Sequence, residues 1–162
     1  VLLPIFADSI LHIGAVGLGN LMTSVGIGAF ISAVMVASLE SKVSARRFVY
    51  TGIYLFVICI SIFALSSNVS VSLISLVGVG MGLVMFLATA NASIQRQVPD
   101  ELRGRVMGLY SLVFQGFSPF GNLGMGVVAH AVGVQSAVLL GGFVCGIAGI
   151  GMKYYTKKQK QT

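Results

Sequence analysis

The chain has 162 residues, is 56% hydrophobic and only 9% charged, and carries a formal net charge of +6. A soluble domain carries about 25% charged residues, so the composition excludes an ordinary soluble enzyme and points to an all-α integral membrane protein. Nor is the positive charge a nucleic-acid footprint. The basic residues fall at span ends, with no basic surface or interleaved aromatics to follow a phosphate backbone.

In chain order, residues 1–7 read as the tail of a helix reaching the non-cytoplasmic side, and Asp8 to Ala15 as a short outer loop holding His12. Span one covers about 16–39 and leads inward to an inner loop at 40–47. Span two, about 48–65, returns outward and ends at the polar turn Ser66-Ser67-Asn68-Val69-Ser70. Span three, about 71–94, runs in. An inner loop at 95–105 follows, with Pro99 as a helix stopper ahead of Asp100-Glu101. Span four, about 106–129, goes out to a turn at 130–136. Span five, about 137–155, comes back to a basic cytoplasmic tail at 156–162. The spans are continuous apolar runs without the period-two alternation of a β-barrel, so helices are predicted.

All 10 Lys and Arg residues fall in three clusters. These are Lys42/Arg46/Arg47, Arg96/Arg103/Arg105 and Lys153/Lys157/Lys158/Lys160. Between neighbouring clusters, Phe48–Gln95 and Val106–Met152 hold no charge. Each gap fits two spans of ~20 residues and a turn, so every cluster lies on one side. Basic residues mark the cytoplasmic side, which predicts a multi-pass membrane protein with a cytoplasmic C-terminus. The chain opens inside an apolar segment and lacks an initial Met, which suggests a fragment with its N-terminal part missing.

Span four carries the most specific internal pattern. Ser111, Gln115, Ser118 and Asn122 recur at i, i+4, i+7 and i+11, so they share one helical face. Polar side chains in a bilayer face the protein interior or a wet path. They could line a cavity or bond neighbouring helices. Pro119, flanked by Gly116 and Gly121, is expected to bend this helix. Span one has a weaker stripe at Asn20, Ser24, Gly28 and Ser32. Span three has one at Ser75, Gly78, Gly82, Met85 and Thr89, where Met suits either packing or an adaptable apolar site. Glycine and polar content ranks spans one, three and four as central and two and five as peripheral. No complete span contains an ionisable Asp, Glu, Lys or Arg except Lys153 at the inner end of span five. Cys59 and Cys145 have no metal-ligand spacing, no catalytic motif is present, and no cofactor is implied.

The segment Leu3-Pro4-Ile5-Phe6-Ala7, followed by Leu11-His12-Ile13-Gly14-Ala15-Val16-Gly17-Leu18-Gly19, resembles the passage from the seventh to the eighth helix of major facilitator superfamily transporters. The closer resemblance is to the enterobactin-exporter and macrolide-efflux-like group. The run Val98-Pro99-Asp100-Glu101-Leu102-Arg103-Gly104-Arg105-Val106-Met107-Gly108 resembles that group's loop between helices ten and eleven. The loop after span one can be laid on the superfamily's Gly-x-Leu-Ala-Asp-Arg-x-Gly-Arg-Arg signature, with Leu39, Lys42 and Arg46 in register. Ser41 stands where the signature has its Asp, so the carboxylate that helps latch the inward gate is absent from this copy.

The resemblance implies the C-terminal six-helix half of the superfamily fold, from the end of helix seven through helix twelve. It also implies a missing N-terminal half as partner, a small-molecule substrate, and alternating access about a midplane site. Asn20, Ser24, Met85, Thr89, Ser111, Gln115, Ser118 and Asn122 would then border the substrate path. Lys42, Arg46, Asp100, Arg103 and Arg105 would either form inward-gate contacts or only set topology and bind lipid headgroups. Efflux of drug-like or siderophore-like molecules is the function this suggests. The alternative is a non-transporting membrane subunit or truncated product that assembles with another chain.

Overall fold

The computed structural model describes residues 2–39 and 43–158, with the side chains among them except those of Ser9, Ile150 and residues 152–158. Lys42 therefore lies outside the described residues. Six helices follow one another: α1 (Leu2–Ser9), α2 (Gly14–Leu39), α3 (Ala45–Leu65), α4 (Val69–Gln97), α5 (Asp100–Val132) and α6 (Val134–Lys158). There is no strand among the described residues. Helices α2, α3 and α4 are each long and apolar enough to cross a bilayer. At 33 residues α5 is longer still, but its polar stripe and glycines dilute its apolar character. The apolar part of α6 covers Val134–Gly149.

The connections are shorter than the sequence suggests. The expected inner loop at 95–105 shrinks to Val98 and Pro99, because α4 runs on to Gln97 and α5 begins at Asp100. Pro99 explains the break. It forces Val98 into extended backbone (φ −99°, ψ 129°), and its carbonyl then accepts the Leu102 N–H at 3.0 Å to open the next helix. At 66–70, Asn68 caps α4 by accepting the Ser70 N–H at 2.9 Å. The outer loop at 8–15 contracts to residues 10–13, with His12 and Gly14 both at positive φ. The outer turn at 130–136 is a single residue, Gly133, with φ 86° and ψ 156°. That backbone region is open essentially to glycine alone. Gly133→Ala is expected to cost about 1–3 kcal/mol, read as a lower unfolding midpoint in detergent, although a Cβ there would touch nothing within 4 Å.

Glycines set the helix crossings. A Cβ on Gly28 of α2 would overlap the Val77 carbonyl of α4, and one on Gly80 of α4 would overlap the Val25 carbonyl of α2. Each helix thus lays bare backbone against the other. Helix α3 meets α4 the same way, where a Cβ on Gly52 would stand 2.8 Å from the Gly82 carbonyl oxygen. Along the α3–α6 seam, Gly142, Gly146 and Gly149 receive Ile60, Val57 and Ile53 in turn. That reversed order makes the two helices antiparallel, as Gly52–Gly82 and Cys59–Gly78 do for α3 and α4. At the opposite end from Arg46, Phe6 of α1 packs at a tilt on Phe63 of α3 with centroids 4.3 Å apart, over a core of Leu21, Ala64 and Leu76. The alternation brings Arg46 and Arg47 at the start of α3, Arg96 at the end of α4 and the start of α5 to one end.

Within this chain the packing order differs from the expected ranking of central and peripheral spans. Helix α4 is the hub, packed on α2 and α3, and α3 lies between α4 and α6. Helix α5 stands at the edge, joined chiefly to α6 through Met125 over Gly141. Glycine content marks a helix that another backbone can approach closely, and on α5 that approach is not made by the described residues.

Candidate functional site

Helix α5 is continuous through Pro119, so Ser111, Gln115, Ser118 and Asn122 do lie on one face. All four are exposed. From Asp100 to Gly124 every residue of α5 is exposed except Val106, Met107 and Tyr110. The opposite face is apolar, with Phe117 and Phe120 more than 70% exposed. Pro119 adds a polar group that side-chain counting misses. It has no N–H to offer the Gln115 carbonyl one turn back, so that oxygen joins the stripe as an acceptor. Around Gly108, Gly116, Gly121 and Gly124 a Cβ would meet no atom within 4 Å, which leaves the α5 backbone bare for a partner helix.

The residues singled out on α2 and α4 fall elsewhere. Ser24 is buried in the α2–α4 seam and donates to the Asn20 carbonyl at 3.0 Å, while the Asn20 side chain is exposed. Met85 is 1% exposed and packs with Val36 and Phe48. Thr89 is 3% exposed, and its hydroxyl has no hydrogen-bond partner among the described residues, as is also true of Ser32 and Ser72. A 40 Å³ pocket beside Thr89 is bordered by Val36, Phe48, Ala92 and Arg96. Within this chain, therefore, Ser24, Met85 and Thr89 belong to helix seams, and the α5 stripe is spatially separate from them.

At the basic end, Arg103 pairs with Asp100 at 2.5 Å within the first turn of α5. Both side chains are largely exposed, so the pair contributes little to stability; Asp100 and Glu101 also suit the positive end of the helix dipole. Arg46 and Arg105 are exposed. The structure thus shows the ion pair inside one helix turn and not as a bridge between helices.

One concavity has no counterpart in the sequence reading. A groove of about 260 Å³ runs between α3, α4 and α6, with Gly52, Phe56, Gly82, Leu83, Cys145 and Ala148 among its walls. Every residue lining it is apolar.

A family model described as transmembrane secretion effector, within the major facilitator superfamily, matches residues 1–161. The chain belongs to this family. No curated protein and no solved structure matches it. Membership of the transmembrane secretion effector family, with the apolar helices α2 to α4, makes the chain a multi-pass integral membrane protein of transporter type. Its six all-helical elements fit one half of the superfamily fold.

Proposed function

We propose that this chain forms part of a secondary active exporter of small amphipathic molecules, working by alternating access in the plasma membrane with the basic helix ends in the cytoplasm. The observation that carries this reading is the α5 face of Ser111, Gln115, Ser118 and Asn122, reinforced by the freed Gln115 carbonyl. It is a polar strip on a helix with few partners of its own in the bundle. Such a strip in a bilayer needs a wet path or a second polar surface, and either is what the other half of a transporter supplies. The family description adds secretion to transport.

In this reading α5 presents its donors and acceptors to the polar part of a passing molecule, while the aliphatic and aromatic residues around it accommodate the apolar part. A non-transporting assembly subunit would also need a partner for α5, but would keep the strip dry. Single cysteines at 111, 115, 118 and 122, in a background lacking Cys59 and Cys145, are therefore expected to react with a membrane-impermeant thiol reagent several-fold faster than cysteines at 113 and 117. Equal rates at all six positions would count against a water-lined face.

A further inference from the structure

We propose that the groove between α3, α4 and α6 holds one acyl chain of an anionic phospholipid from the leaflet at the basic end of the bundle. The inference is independent of the transport reading, since the groove lies on different helices from the α5 strip.

Three observations converge on this occupant. The first is the lining. With only apolar residues around it, the groove has no group to orient a polar ligand, whereas small-molecule sites place a few polar groups for that purpose. An alkyl chain needs none. The second is depth. Gly52 lies seven residues into α3 counting from Ala45, about 10 Å at 1.5 Å per residue, and Gly149 precedes Lys153 by four residues, about 6 Å. The groove therefore opens in the hydrocarbon half nearest the basic end, which is about 15 Å thick, and reaches the midplane at Phe56, eleven residues from Ala45 or about 16 Å, which is the depth an acyl chain spans.

The third is charge at the mouth. Arg46 precedes Ile53 by seven residues, two helical turns, and so shares the face of α3 that borders the groove and receives Gly149. Arg46 and Arg47 are both exposed. Guanidinium groups bind phosphate through paired N–H donors. A lipid phosphate beside them would place its upper chain methylenes at the depth of Gly52 and Ile53. The groove is shaped by small residues: the α3–α4 floor closes at Gly52 against Gly82, and Ala148 leaves the α6 wall low.

The test uses the whole chain in phosphatidylcholine nanodiscs doped with phosphatidylglycerol or phosphatidylcholine carrying a diazirine within one acyl chain. After irradiation, adducts are mapped by mass spectrometry. The expected result is a concentration of adducts at Leu83, Phe86, Cys145 and Ala148 over the exposed positions Ile58 and Phe143. The phosphatidylglycerol probe should exceed the phosphatidylcholine probe by about fivefold or more, the scale of one basic residue near an anionic lipid surface. Arg46→Gln with Arg47→Gln should erase that preference. Ala148→Trp should remove the groove adducts and leave those at Ile58 and Phe143, whose persistence also reports a folded bundle.

Adducts spread evenly over all exposed apolar positions would overturn the proposal, as would equal yields from the two wild-type probes. Displacement of the adducts by an uncharged apolar compound, but not by unlabelled phosphatidylglycerol, would assign the groove to free hydrophobic molecules and overturn it too. The wild-type map and the arginine variants decide the matter even if the tryptophan is not tolerated.

Discussion

Gly28→Leu is expected to destroy the packed bundle, while Gly116→Leu leaves it standing. A Cβ on Gly28 would overlap main-chain atoms of Val77 and approach the Met81 nitrogen to 3.0 Å. Those atoms belong to the hub helix α4 and cannot rotate away as a side chain would. Overpacking typically costs about 1–3 kcal/mol and sometimes more; a backbone-on-backbone clash at a central crossing falls at or above the top of that range. At Gly116 no atom of the chain lies within 4 Å of the added Cβ. There, removing a mid-helix glycine favours the helix by up to about 1 kcal/mol.

Cys59 provides the readout. It is half-buried and packs on Gly78 at the α3–α4 contact, so a thiol-reactive dye in a Cys145→Ser background reports opening of that seam. The dye should react at markedly lower temperature with the Gly28→Leu protein and at an unchanged or higher temperature with Gly116→Leu. Similar midpoints for the two variants would show that the α2–α4 crossing is not what holds the bundle.

In a transport-competent protein containing this chain, Gln115→Ala and Asn122→Ala should change the rate or range of compounds exported, by about tenfold for the most affected, without loss of membrane insertion. Each substitution removes a polar side chain from the α5 strip and disturbs no packing within this chain, where both positions are exposed. Ser24→Ala is the informative control. That hydroxyl bonds its own helix at the Asn20 carbonyl inside a seam, so its removal should alter stability slightly and transport little. Efflux from inverted vesicles, with protein level measured in parallel, distinguishes the cases. If both α5 variants export every tested compound at the native rate, the strip is not part of the path.

The order and direction of the helices are legible in the sequence because charge is so scarce. Three basic clusters separated by uncharged runs leave one way to cross and return, and the structure brings Arg46, Arg47, Arg96 and the first turn of α5 to one end. The α5 face is legible too, since i, i+4, i+7 and i+11 on a continuous helix fixes an angle. Packing order is not. Gly28 and Gly116 look alike in sequence, yet one lies against the Val77 backbone and the other meets nothing within 4 Å. A glycine states that a close approach is permitted, and only the partner's position shows whether it occurs. For the same reason Met85 and Thr89 read equally as path residues or packing until α2 and α3 are seen against them. The groove was hidden because its walls come from α3, α4 and α6, and its signal is small residues at three separated positions, Gly52, Gly82 and Ala148. The inner loop at 95–105 reads longer in sequence than it is, because charged and polar residues such as Gln95, Arg96 and Arg103 continue the helices beyond their apolar parts.

The connections at the two ends of α5 have a mechanical consequence. Val98 and Pro99 tie it to α4, and Gly133 alone ties it to α6. A residue of extended chain reaches at most about 3.6 Å, so neither end can move far from its neighbour. Between those ends, its flank up to Gly124 is largely uncovered by the rest of the chain. The helix is an axle held in two short bearings: it can roll about its long axis but cannot be drawn out sideways. A modest roll would carry Gln115 and Asn122 away from a fixed point beside the helix and change how polar a surface is offered there, while the Phe117 and Phe120 face, nearly half a turn away at about 3.6 residues per turn, stays turned from it.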